Sequence, residues 1–307
     1  MQKLVAYITM QFDLNETALG KNSSTPEKYD ASLLFRIPRI ENRAHYGIEN
    51  TNLPFTGVDV WNCYEVSFLT ANGLPVSRMI KLIYSCESEY LVESKSLKLY
   101  LNSFNMERFG KTILESEKSV CELVKADLSK LLETAVEVIL FTDKSPELVP
   151  FSDLKDKQLT DLISAETLET IEFSHYLETP ELLKGNLTSE MHEYNFRSDL
   201  LRSNCRVTNQ PDWGDLFVRI STKYEIDLST VVSYLVSFRK ENHFHEEVVE
   251  MIYKRLQDIF NPEELLVAAM YTRRGGIDIN PVRASHAGLL DDAFLSTTSR
   301  LAKTLRQ

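Results

Sequence analysis

The sequence predicts an α+β protein in which one sheet-and-helix pattern is used twice. Three observations predict it. Each half holds strand-like segments rich in β-branched and aromatic residues. Each half also holds a helix whose apolar residues recur three and four apart, followed by an apolar strand. Finally, Tyr100-Leu101-Asn102-Ser103-Phe104 matches Tyr234-Leu235-Val236-Ser237-Phe238 at all but the middle position. A phenylalanine follows nine residues after the tyrosine in one copy (Phe109) and ten after it in the other (Phe244). Such self-similarity, with the same order of elements, indicates duplication of a ββααββ-like module.

Taken in order, residues 1–50 read as an irregular N-terminal arm, because KNSSTPEKYD and RIPRIENR mix polar residues with proline. Residues 51–143 read as the first module. VDVWNCYEVSFLT and VSRMIKLIYS are strand-like and are separated by the turn signal ANGLP. ESKSLKLYLNSFN follows, then a helix over about 116–132 carrying Val120, Leu123, Val124, Leu128, Leu131 and Leu132, then the strand AVEVILF. Residues 144–190 are acidic, contain prolines and lack periodicity, so they read as a linker. Residues 191–307 read as the second module. SNCRVTNQPDWGD precedes the strand LFVRIS, and VVSYLVSFRKENHFHEE leads into a helix with Val248, Val249, Ile252, Leu256 and Ile259 on one face. LLVAAMYTRR closes as a strand.

With 43% hydrophobic and 26% charged residues, the chain can bury a real core. It holds no run of 18 uncharged apolar residues and no signal-peptide pattern at its start, so no membrane association is expected and a cytoplasmic location is. A net charge of -11 argues against broad nucleic-acid binding. The four cysteines show no CxxC and no paired spacing, so reduced thiols are expected rather than a disulfide framework. Neither GxGxxG nor GxxxxGK[ST] occurs, nor a G-x-S-x-G elbow or HExxH, which removes the common nucleotide, hydrolase and metalloprotease motifs.

Four segments could carry chemistry. Cys205 lies in a polar, turn-rich segment with Asp212 seven residues on, whereas the other cysteines lie in apolar strands or a helix. A thiol near a carboxylic acid suits nucleophilic addition with proton delivery, although buried packing is the commoner fate of a lone cysteine. His243 and His245 flank Phe244 ahead of Glu246 and Glu247. The two acids suit a helix N-terminus, and a carboxylate can also read the N–H edge of a purine-like base. The HxH spacing lacks the further Cys/His ligands a zinc site needs, so no metal is expected. Arg273-Arg274-Gly275-Gly276 could grip a phosphate or simply end a strand, and Glu93-Ser94-Lys95-Ser96 could read a base and a phosphate or be a polar loop.

Together VESKSLKLYLNSFN, SNCRVTNQPDW, FRKENHFHEE and YTRRGGIDINP resemble the 7-cyano-7-deazaguanine reductases, the NADPH-dependent nitrile reductases of tRNA queuosine biosynthesis. KNSSTPEKYDASLLFRIPRIENR and LPFTGVDVW resemble the longer, two-module form. The resemblance implies two tandem tunnelling-fold modules, each an antiparallel sheet with two helices on one face. It implies sites where modules meet, and a homodimer. It further implies that Cys205 adds to the nitrile carbon to form a thioimide while Asp212 supplies a proton, with Asp212's proton affinity raised for the purpose. Val92, Glu93 and Ser94, with His245 and Glu246, would hold the deazapurine base. Ser94, Lys95, Arg274 and Gly275 would hold NADPH, of which two are used per turnover. His243 receives no role. A zinc-dependent pterin-forming cyclohydrolase of the same fold would need a Cys/His zinc set that is not visible. A base-binding or RNA-associated module without catalysis would have no need of Cys205 and Asp212, and the acidic charge disfavours RNA.

Overall fold

One ten-stranded, mostly antiparallel sheet runs through both halves of the chain. A computed structural model describes residues 28–147, 156–290 and 292–300. The first half contributes β1 (Arg36–Pro38), α1 (Ile40–His45), β2 (Thr56–Leu69), β3 (Pro75–Ser85), β4 (Tyr90–Val92), α2 (Ser94–Asn102), α3 (Ile113–Leu132) and β5 (Val136–Phe141). Then come β6 (Lys157–Gln158), α4 (Ala165–Thr170), β7 (Gly185–Ser198), β8 (Arg202–Cys205) and β9 (Pro211–Ile226). The chain continues through α5 (Leu228–Ser237), β10 (Asn242–His243), α6 (His245–Phe260), β11 (Glu264–Tyr271) and β12 (Ile277–Ala284). The architecture is the mixed α+β one expected, with the halves joined by eight antiparallel residue pairs between β12 and β2.

Each helix has a local cause. Thr112 accepts from the Glu115 N–H while Glu115 bonds back to the Thr112 N–H, which starts α3 three residues before the expected Ser116. Val120, Val124, Leu128 and Leu132, four apart, bury its inner face. In α6, Glu247 accepts the Phe244 N–H, and Val248, Val249, Ile252, Leu256 and Phe260 are buried. The repeated pentapeptide folds alike in both halves. Ser103 and Ser237 hydroxyls bond back to the carbonyls of Tyr100 and Tyr234, at 2.6 and 2.7 Å. The Tyr100–Phe104 and Tyr234–Phe238 rings meet edge to face, at 5.1 and 5.3 Å.

In β11, Leu265, Val267, Ala269 and Tyr271 join the core that contains α5 and α6, while Leu266, Ala268 and Met270 pack on the other face with Phe294. Burial on both faces explains why this strand is an unbroken apolar run.

Three expectations need correction. Residues 144–190 are more than a linker: they contain β6, α4 and the start of β7, and 148–155 lie outside the described residues. The expected boundary at 191 therefore falls inside β7, a strand mostly exposed along its length. The arm over 1–50 contains β1, which pairs with β4, and α1; residues 1–27 lie outside the described residues. The second half does not close at LLVAAMYTRR, because β12 follows and makes the seam with β2. Pro281 sits within β12, and pairing with β11 stops at Val282, where the proline lacks an N–H to donate. The Asn280 side chain bridges the gap by accepting the Tyr271 N–H at 3.0 Å.

Candidate active site

Cys205 and Asp212 are brought together by a hairpin. β8 and β9 pair with Ser203 opposite Asp212 and Asn204 opposite Pro211, so the loop 206–210 places Cys205 at the hairpin's end. The loop is closed by the Cys205 N–H donating to Gln210 at 2.8 Å and the Asn209 N–H donating to Cys205 at 3.0 Å. Asn209 takes the left-handed conformation, φ 56°, which asparagine tolerates. On its other side, β8 pairs in parallel with β10, His243 beside Cys205.

Both residues line a cavity of about 260 Å³. The first half contributes Ile37, Trp61, Val92, Ser94 and Lys98; the second contributes Cys205, Asp212, His243, His245, Glu246, Arg274 and Gly275. Eight of the ten residues singled out from sequence therefore meet in one place: Cys205, Asp212, Val92, Ser94, His245, Glu246, Arg274 and Gly275. Glu93 and Lys95 do not line it. Glu93 is buried as the N-cap of α2, accepting the N–H groups of Lys95 at 2.8 Å and Ser96 at 2.7 Å. Burial pushes its carboxyl above the ordinary value, against those hydrogen bonds.

Arg274 is delivered by a tight turn. Its N–H donates to the Ile277 carbonyl at 2.8 Å and the reverse bond is 3.2 Å, with Gly275 and Gly276 at φ +55° and +76° between them. Two positive φ values in a two-residue hairpin loop demand glycine-like residues. The turn sends the two arginines different ways. Arg273 lies over the Tyr64 ring at 4.3 Å, while Arg274 meets Asp212 at 3.0 Å. His245 also approaches Asp212, at 3.4 Å, and its ring is stacked on Tyr271 at 3.8 Å. Arg274 and His245 thus both face the Asp212 carboxyl from within the second half.

Glu246 stands over a buried ion cluster of Arg39, Arg43, Arg283, Asp59 and Glu250. Burial and the Asp59 charge push Glu246 up to about 8, against Arg39 and Arg283. Glu250, though burial works the other way, is held down to about 2 by Arg283, Arg43 and Arg39. His243 is bonded to Glu241 at 2.8 Å and lies 3.4 Å from Glu247; although burial opposes it, these carboxylates push the imidazole up to about 9. Burial pushes the thiols of Cys63 and Cys86 up, and that of Cys121 up to about 11; Cys121 is half-buried like Cys205, but it lies on α3 and does not line the cavity.

Among the described residues, the buried Trp61 Nε1 and His245 Nδ1 of the cavity lining have no hydrogen-bond partner, and His243 Nδ1 has only the 3.4 Å approach of Glu247. Such orphans fit a ligand that brings acceptors. Sequence reasoning missed Trp61 and Lys98, though Lys98 falls one helical turn from Ser94 and so shares its face. Among the described residues no group of three or more His, Cys, Asp or Glu could hold a metal, and no helix is long and apolar enough to cross a membrane.

Comparison with known proteins bears on this geometry. A family model described as nitrile reductase, 7-cyano-7-deazaguanine-reductase N-term, matches residues 25–140, and one described as QueF-like protein matches 211–288. A protein of Colwellia psychrerythraea named NADPH-dependent 7-cyano-7-deazaguanine reductase is 40% identical over 300 residues, 96% of this chain and 97% of its own. Proteins with the same name from Polaromonas sp. and Chromohalobacter salexigens are 41% and 39% identical, covering 87% and 89% of this chain and 92% of each of theirs.

Proposed function

This chain belongs to the NADPH-dependent 7-cyano-7-deazaguanine reductase family of oxidoreductases, and on that premise we propose that it reduces the nitrile of 7-cyano-7-deazaguanine to the primary amine through a thioimide on Cys205. The resemblance assigns this step to the making of queuosine in tRNA. The observation that carries the reading is the single cavity that gathers Cys205, Asp212, His245, Glu246, Ser94 and Arg274. Its volume, about 260 Å³, is at the small end of ligand pockets and suits one planar base.

The Cys205 thiolate adds to the nitrile carbon: a C–S bond forms, and one C≡N π pair moves to nitrogen, which takes a proton. Asp212 is the donor. It lines the same cavity as Cys205 and is oriented by Arg274 at 3.0 Å. Glu246 accepts from the N–H edge of the base, while His245, fixed by Tyr271, presents the nitrogen that lacks a partner. The residues fit the cofactor: the guanidinium of Arg274 and hydroxyl of Ser94 suit a phosphate, and Gly275 permits close backbone approach. NADPH, when bound, supplies hydride, two equivalents with two protons taking nitrile to amine.

The experiment is a stoichiometry. With limiting nitrile, two NADPH should be oxidised for each amine formed. Asp212→Asn should lower kcat by roughly a hundredfold or more, the range for a lost proton donor. A folded wild-type protein that leaves NADPH unoxidised would overturn the reading. The resemblance also leads us to expect two chains to pair: light scattering should give twice the 35.3 kDa chain mass, and a monomer would contradict it.

A further inference from the structure

Lys98 lines the cavity with Cys205, and the steps above give it no task. The other basic side chains there have carboxylate partners. Arg274 and His245 face Asp212, and His243 faces Glu241 and Glu247. Lys98 makes no ion pair or hydrogen bond among the described residues. Its stem lies along Gly275, where an added Cβ would come within 3.3 Å of Lys98 Cδ and Cε and 3.4 Å of Nζ. The glycine thus leaves room for the lysine to reach into the cavity beside the turn that carries Arg274.

We propose that Lys98 is the cation that holds Cys205 as a thiolate; the proposal rests on Cys205 being the nucleophile and names what sets its protonation. Of the charged groups around Lys98, Glu93 attracts it most, yet the two make no ion pair. On its own helix, Glu93 gives both oxygens to backbone N–H groups, and Lys95 carries the same charge. On β2, Cys63 is a buried thiol whose burial disfavours ionisation, and Glu65 is exposed to solvent. Across the cavity, Asp212 is covered by Arg274 and His245, His243 is held by its glutamates, and Glu246 sits over the buried arginines. Cys205, which lines the same cavity, is the nucleophile placed to gain from this cation. Burial pulls the Lys98 ammonium below the ordinary lysine value; Glu93 pulls it back, Lys95 and Arg274 push it further down, and Cys205 adds a smaller pull back. A charge at this half-buried depth acts more strongly than one in water.

The test measures the rate at which iodoacetamide modifies Cys205, followed by mass of its peptide, from pH 5 to 10 in the full-length protein without NADPH. In Lys98→Met and Lys98→Gln the midpoint should rise, slowing modification at pH 7 roughly three- to tenfold, one pH unit being tenfold. Lys98→Arg should restore the wild-type midpoint. An unchanged midpoint in both neutral variants overturns the proposal, and so does a rise that Lys98→Arg shares, since that would be packing rather than charge. The reductase reading fails separately: a lysine-dependent midpoint in a protein that forms no adduct with 7-cyano-7-deazaguanine would retire that reading alone.

Discussion

Glu246 combines two demands that oppose each other at neutral pH. To accept from the N–H edge of a base it must be a carboxylate, yet burial and Asp59 push it up to about 8. Binding the base at pH 7 should therefore release a proton, and affinity should rise roughly tenfold between pH 7 and pH 9 before levelling. Calorimetry in buffers of different ionisation enthalpy reads both effects; a pH-independent affinity would contradict them. In Glu246→Gln the affinity should be weak and flat with pH. His243 titrates in a second window. Its folded-state value, about 9, is above that of the unfolded chain, so its stabilising contribution is full below about pH 6.5 and lost as pH rises through 9. Denaturant midpoints of the wild type should fall between pH 7 and pH 10, and those of His243→Gln should fall less. Cys205 and Asp212 were legible in the sequence because their segment is polar where the other cysteines are apolar. Lys98 was not legible, since one lysine in a charged helix looks like any other until the fold aims it.

The β8–β9 hairpin and the Gly275–Gly276 turn do the positioning, and each depends on local backbone chemistry. A Cβ on Gly276 would meet the Glu65 carboxyl carbon at 2.5 Å and would strain a left-handed φ. Gly276→Ala should cost about 1–2 kcal/mol of stability and displace Arg274, weakening NADPH binding more than base binding. Equal loss of both affinities would show that the turn does not aim Arg274. The elements whose apolar residues alternate or recur on one face, such as β2, β3, α3 and α6, were readable from the sequence. β7 and β12 were not. GNLTSEMHEYNFRS is largely solvent-exposed and becomes a strand by pairing with β9, so it carries no hydrophobic alternation. IDINPVRA holds a proline and buries Asp278 and Asn280, which satisfy each other and Asn62 only once folded.

At the scale of the molecule, the seam between halves is where stability and function meet. Arg39 and Arg43 from the N-terminal segment, Asp59 from β2, Glu250 from α6 and Arg283 from β12 form one buried ion cluster close to Glu246. Removing one member strands the others in a dry interior, so Arg283→Met should destabilise by about 3–5 kcal/mol. Because β12 pairs with β2 along eight residues, both halves should unfold in one transition. Two separate transitions would show that the seam does not couple them. The duplication was visible in the repeated pentapeptide, but the seam was not: no local pattern announces which strand of one half will lie against the other.

The central claim is that Cys205 bonds covalently to a nitrile carbon, and intact-mass measurement tests it most directly. Incubated with 7-cyano-7-deazaguanine and no NADPH, the wild-type protein should gain one substrate mass, Cys205→Ala should gain none, and NADPH should discharge the adduct as the amine. An unmodified wild-type mass, or equal modification of the Cys205→Ala protein, would contradict it.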